Sequence, residues 1–324
     1  MNLGRNQQYI IAVAVAVFVS LIIHRVFTSD GLGGLFAVMS VTFLIGLPYA
    51  VGYLTVYLCK TETIESSAKA FFIPFVPMFI FFLITLFFSL EGIACWIMIM
   101  PIFLIVAGLG GITARHFKLK KRDKTKNFVY IVLLLPFFMA PIEKAIGAIP
   151  GNYKAYTEIV INAGNVSVWR NVTRVSAIDK KQDSAVFTRS LGFPRPISAE
   201  LDTEAVGGKR KAIFDKGLVF DETVTQYSDL RSMTFTIHAN PYDIPSTTMD
   251  KHIVVGGEFF DVLNGTYELE QIDPGHCKLR LYSNFKLNTT FNFYAGLWAT
   301  WVMKDIQQNI LKVIKERSEA CQGK

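Results

Sequence analysis

The sequence predicts two materials in one chain. Residues 1–150 read as a multi-pass α-helical membrane region. Residues 151–324 read as an α+β domain, a curved antiparallel sheet wrapped on a long C-terminal helix. Three observations predict this. The first part contains long runs without a charged side chain. The second alternates apolar and polar residues with a period of two. The chain then closes on a single apolar stripe at helical spacing.

Composition sets the frame. Of 324 residues, 51% are hydrophobic and 18% charged, with a mean hydropathy of +0.35. That excludes a disordered or fibrous chain and speaks against an ordinary soluble enzyme. Residues 1–150 hold 12 Lys/Arg against 6 Asp/Glu, and residues 151–324 hold 21 against 20. The basic excess is concentrated in Arg115, Lys118, Lys120, Lys121, Arg122, Lys124 and Lys126, with Asp123 alone opposing them. A basic loop between apolar segments fixes membrane orientation and also attracts anionic headgroups. No aromatic-rich basic face accompanies it, so no nucleic-acid partner is expected.

A bilayer core of ~30 Å needs about 20 apolar residues in helical form, and backbone in lipid must satisfy its own hydrogen bonds. Five crossings are expected, at about 9–27, 32–59, 70–90, 93–112 and 128–149. Arg5 before the first run also suits a signal peptide, but no clear small-residue cleavage motif follows, so an uncleaved helix is expected. His24 and Arg25 at its end are expected to reach the interface. In the fifth segment Glu143 and Lys144 interrupt the apolar run, and Pro136 and Pro141 would kink it. It either spans, with that charged pair near the far interface, or is re-entrant. With Arg5, the Lys60/Lys69 loop and the 115–126 loop on the cytoplasmic side, five crossings leave the C-terminal domain outside the cytoplasm; in a bacterium the membrane is the inner one. If the fifth segment does not cross, that domain is cytoplasmic. The spans hold almost no interior ionisable groups of the kind pumps need, which points to an anchor or scaffold.

The second part reads as strands. Ile197, Ala199 and Leu201 alternate with polar residues, as do Met233, Phe235 and Ile237, and Leu279, Leu281, Ser283, Phe285 and Leu287. One face of such a sheet is covered. Gly207-Gly208, Asn264-Gly265 and Pro274-Gly275 are expected as turns. The polar, Pro-containing stretch 240–246 is expected as a loop, either a cover over a pocket mouth or a plain connection. A helix is expected over about 294–319, with Trp298, Val302, Ile306, Ile310 and Val313 forming its apolar stripe.

This order of elements resembles the helix-grip fold of the START/polyketide-cyclase-like (SRPBCC) superfamily. Ala205-Val206-Gly207-Gly208-Lys209-Arg210, with Gly217-Leu218-Val219-Phe220-Asp221-Glu222, resembles that superfamily's second-to-fourth-strand region. Val168-Trp169-Arg170-Asn171-Val172 resembles the short helix after its first strand. Gly256-Gly257-Glu258-Phe259-Phe260 through Lys286 resembles its last strands. The resemblance covers about 155–319 and implies an apolar cavity between sheet and helix, with a hydrophobic ligand such as a lipid, sterol-like compound, quinone or polyketide. Fold alone does not set function, and the membrane part departs from soluble members.

The chemical inventory is sparse. The five His residues show no paired metal spacing, and the four Cys form no CxxC pair. Glycine clusters at 31–34 and 108–111 sit beside spans, and neither a phosphate-binding loop nor a nucleophile elbow is present. No catalytic residue, metal or cofactor is expected. A Cys277–Cys321 disulfide is left open.

One polar position stands out. Glu222 shares parity with Leu218, Phe220 and Val224, and a carboxylate on that apolar face must find a partner or stay protonated. Arg210 shares parity with Ala212 and Phe214 on the neighbouring strand. A structural pair and a pocket acid both fit. Glu222, Arg210, Phe220, Trp298 and Trp301 are the candidate ligand-binding residues, with packing the plainer role for both tryptophans and for Trp169. The expected function is membrane-tethered binding of a hydrophobic small molecule or lipid without turnover. The alternatives are a cyclase/dehydratase-type enzyme using Glu222, and a membrane sensor or assembly factor using the basic loop, its protein partner unspecified.

Overall fold

The computed structural model describes residues 4–29, 35–120, 125–239 and 255–320, with backbone alone for 125–127. The expected loop at 240–246, the glycines at 31–34, Lys121, Arg122, Lys124 and Cys321 lie outside the described residues, as does the side chain of Lys126. The chain forms two compact units, chiefly Met1–Glu91 with Cys95–Ile149, and Pro150–Asn288 with Asn292–Lys324.

The first unit is helical. It contains α1 (Arg5–Phe27), α2 (Leu47–Leu58, entered through a π-turn over Thr42–Gly46), α3 (Ser67–Phe72), α4 (Phe75–Phe87), α5 (Ile93–Leu119) and α6 (Thr125–Ile146). Arg5–Phe27, Ser67–Phe87, Ile93–Leu119 and Phe128–Ile146 are long and apolar enough to cross a membrane. From the run 32–59 the shorter helix Thr42–Leu58 forms.

Charged side chains hold both ends of that shorter helix. The Glu143 carboxylate accepts the Val41 and Thr42 backbone N–H groups at 2.7 and 2.8 Å. Orphan N–H groups at a helix start attract such a carboxylate. At the other end the Lys118 ammonium donates to the Tyr57 carbonyl at 2.8 Å and to the Cys59 carbonyl. Lys118 reaches them because α5 runs on to Leu119, beyond the 112 expected, so part of the basic run is helix rather than loop. Arg115 on the same turns donates to the Ile64 and Glu65 carbonyls.

Glycines let the helix backbones touch. A Cβ on Gly52 would lie 1.9 Å from the Ala107 carbonyl oxygen, and one on Gly110 would lie 2.4 Å from that of Tyr49. The 108–111 cluster is thus inside α5 and is used for close packing, as small residues are in membrane bundles. His24 corrects an expectation. Arg25 is exposed, but His24 is buried, its ring against Phe43 and Phe81 and its Nε2 2.8 Å from the Glu91 carboxylate.

The second unit is a curled antiparallel half-barrel, seven-stranded among the described residues, with a long C-terminal helix: the helix-grip architecture. Its strands are β1 (Gly151–Ile161), β2 (Pro196–Leu201), β3 (Lys209–Phe214), β4 (Val219–Ser228), β5 (Ser232–Ala239), β6 (Phe260–Asp273) and β7 (His276–Leu287). They run in the order β1-β7-β6-β5-β4-β3-β2. Between β1 and β2 the chain forms α7 (Asn165–Thr173) and α8 (Val186–Ser190); α9 (Asn292–Ala320) closes the unit. Trp169, Phe235, Tyr267, Leu281, Leu311 and Ile314 share one core.

Gly207-Gly208 and Pro274-Gly275 lie at the expected turns, between β2 and β3 and between β6 and β7. Asn264-Gly265 does not turn. It sits inside β6, where a Cβ on Gly265 would lie 2.6 Å from the Phe235 ring. The glycine makes room for an aromatic side chain on the neighbouring strand, a known use of glycine within a sheet.

Candidate functional site

Sheet and α9 enclose a cavity of about 140 Å³. Period-two alternation builds its walls. From β3 come Arg210, Ala212 and Phe214, and from β4 Phe220 and Glu222. Phe235 and Ile237 follow from β5, Val262 and Tyr267 from β6, and Leu281 and Ser283 from β7. From α9, Val302, Met303, Ile306, Gln307 and Ile310 face inward. Ala212 is one of the small lining residues, with Ala199, Ser198 and Ser283.

The strand register sets Arg210 directly opposite Glu222. Both are 4% exposed, and the guanidinium Nη1 donates to the Glu222 carboxylate. The guanidinium carbon also lies 5.2 Å from the Phe235 ring centroid and 6.0 Å from that of Tyr267, within cation–π range. Burial pushes the Glu222 carboxyl above the ordinary carboxylate range, against the pull of Arg210. Burial pulls the other way on Arg210, but Glu222 and Tyr267 beside it outweigh that and hold the guanidinium above its usual range. The Arg210 Nε–H is buried with no acceptor. An unmade hydrogen bond of this kind is costly.

A second polar group sits on the helix side. Gln307, buried on α9, accepts from Thr157 Oγ1 at 3.2 Å and donates to Ser283 Oγ at 3.1 Å. It escaped the sequence reading. The available signal is its place in the row Met303, Gln307, Ile310, Ile314, spaced four, three and four, which puts one amide among inward apolar residues.

Of the candidate ligand-binding residues, Arg210, Glu222 and Phe220 come together on the cavity wall. Trp298 and Trp301 do not join them. Trp298 stacks on Phe187, with ring centroids 6.2 Å apart, and Trp301 is 56% exposed. Cys277 is a buried free thiol. No group of three or more His, Cys, Asp or Glu able to hold a metal ion occurs among the described residues.

No family model matches the chain, and no curated protein matches it. Solved structures align with it over about half its length. A START superfamily protein from Mycobacterium smegmatis is 8% identical, with a TM-score of 0.34, over 53% of this chain and 99% of that one. The Zhui aromatase/cyclase from Streptomyces sp. R1128 is 11% identical, with a TM-score of 0.34, over 53% and 96%. Norcoclaurine synthase from Thalictrum flavum is 10% identical, with a TM-score of 0.30, over 51% and 94%.

Proposed function

We propose that this chain is an integral membrane protein whose second unit binds a hydrophobic small molecule, lipid or polyketide-like, without turning it over. The cavity carries the reading. Its walls are aliphatic and aromatic, with few polar groups, the pattern of small-molecule sites. Glu222 is spent on Arg210, and no nucleophile–base pair accompanies it among the described residues that line the cavity, so binding fits better than catalysis.

In this reading five crossings, made by α1, α2, α3 with α4, α5 and α6, place the N-terminus in the cytoplasm and residues 151–324 outside it. At 1.5 Å per residue, the 17 residues Thr42–Leu58 reach about 26 Å against a ~30 Å core, so α2 is the crossing to test. A C-terminal reporter decides: activity outside the cytoplasm agrees with five crossings, and cytoplasmic activity removes one. For binding, the full chain in detergent is dialysed to equilibrium against protein-free micelles with labelled decanol. Saturable excess on the protein side, lost in Ala212→Trp, agrees with the cavity site. No excess contradicts it.

A further inference from the structure

The outward face of α9 changes character along its length. Phe293, Leu297 and Trp301 follow one another at a spacing of four, so they form one row. They are 68, 57 and 56% exposed. Lys304, Gln308 and Lys312 continue the row and are exposed too. Residues 287–303 contain no charged side chain, whereas 304–320 hold three lysines, an arginine and three carboxylates. Val302, Leu311 and Ile314 are on the buried side of the same helix. Other large exposed apolar residues of this unit, such as Val166, Val206 and Ile272, stand singly on separate elements. Scattered residues of that kind are ordinary surface, but three in one row on one helix are a patch. Trp298 adds a further ring at its edge, 5.5 Å from Trp301 and 6.4 Å from Tyr294 between centroids. Trp and Tyr of this kind gather where membrane meets water.

The chain ties the apolar end of this row to the helical unit. Thr289–Phe291 belong to that unit. There Thr290 Oγ1 accepts the Val41 backbone N–H at 2.9 Å and donates to Glu143, near the end of the apolar helix Phe128–Ile146. Phe293 follows Thr290 by three residues, so at most ~10 Å of chain separates them. Trp301 lies about 12 Å further along the helix. Chain length thus keeps the uncharged row within reach of the end of a span, and the charged part of the face begins only beyond it.

We propose that Phe293, Leu297 and Trp301 insert into the headgroup layer of the bilayer that the first unit crosses. The row is too short to span, and it enters lipid as the apolar face of an interfacial helix does. Lys304 and Lys312 remain in water. This inference rests on the membrane reading above and is independent of the cavity.

The test places the full chain in phosphatidylcholine nanodiscs. Trp301 emission is the difference between Trp298→Phe and Trp298→Phe/Trp301→Phe. Wild type minus Trp301→Phe, which keeps the neighbouring Trp298, gives a second reading. Phosphatidylcholine brominated high on its acyl chains should remove most of that emission, and aqueous iodide little of it. The emission added by Gln308→Trp in Trp298→Phe/Trp301→Phe should respond in the opposite way. Quenching of Trp301 by iodide alone puts the row in water and overturns the proposal. Resistance to both quenchers puts it against protein, a second copy or another segment of the chain, and also overturns it. Equal bromolipid quenching at 308 and at Trp301 overturns it as well, because the apolar row then does not select the lipid. Release of the full chain from membranes by alkaline carbonate removes the membrane reading itself. A carbonate-resistant chain with Trp301 in water overturns the row alone.

Discussion

Both units bury charge, and they use it differently. In the helical unit buried His24 meets Glu91, while half-buried Glu143 accepts two backbone N–H groups and half-buried Lys118 donates to two carbonyls. These charges complete helix ends or close on one another within packed helices. In the sheet unit Arg210 meets Glu222 with one donor left over, and the pair faces a void. Buried charge by itself therefore does not mark a site. What sets Arg210 and Glu222 apart is the apolar space that they line.

The largest expected effect breaks the pair in the sheet unit. Glu222→Ala leaves the Arg210 cation buried and unpaired, which costs about 3–5 kcal/mol. Glu222→Gln keeps shape and an acceptor and should lose much less. Arg210→Met with Glu222→Leu should be neutral or stabilising, because well-packed apolar residues replace buried pairs without loss. Thermal unfolding of the three variants ranks them. Equal losses for Ala and Gln would mean that the lost charge, and not the lost shape or acceptor, sets the cost.

Overpacking the helical unit comes next. Gly52→Ala places a methyl group against the Ala107 carbonyl oxygen, so α2 and α5 must separate, at about 1–3 kcal/mol. Gly164→Ala meets nothing nearer than 3.5 Å and serves as the control in the same melting experiment. The contrast between the units is sharpened by His24→Leu with Glu91→Leu. It should leave decanol retention at the wild-type level, since neither residue lines the cavity.

How much of this was legible in the sequence follows from the range of each interaction. Glu222 and Arg210 are twelve residues apart on adjoining strands, so parity alone placed both on one face. His24 and Glu91 are 67 residues apart on elements with no local pattern linking them, and nothing in the sequence announced their meeting. Asn264-Gly265 has turn chemistry, but here the glycine answers the Phe235 ring on another strand. Long-range steric demand overrode the local signal. Gln307 is hidden in the same way: one amide in an amphipathic helix is ordinary until Ser283 and Thr157 are seen beside it.

A smaller effect concerns pH. Burial raises Glu222 above its ordinary value of 4.5 in the folded chain. The folded state then holds a proton that the unfolded state has lost, so this group's contribution to stability is full below about pH 4.5 and is lost as pH rises through the raised value. Subtracting the stability–pH curve of Glu222→Gln from that of wild type should expose this fall. A flat difference would mean that Arg210 fully offsets burial. The smallest effect is expected at Trp301. It is exposed and outside the cavity, so Trp301→Ala should retain decanol as wild type does.

In the proposed function the space between sheet and α9 holds an apolar molecule. Native mass spectrometry of the full chain released from mild detergent tests it most directly. Discrete mass increments are expected on wild type, vanishing in Ala212→Trp and persisting in Trp301→Ala. A wild-type chain without increments, or identical increments in Ala212→Trp, would contradict it.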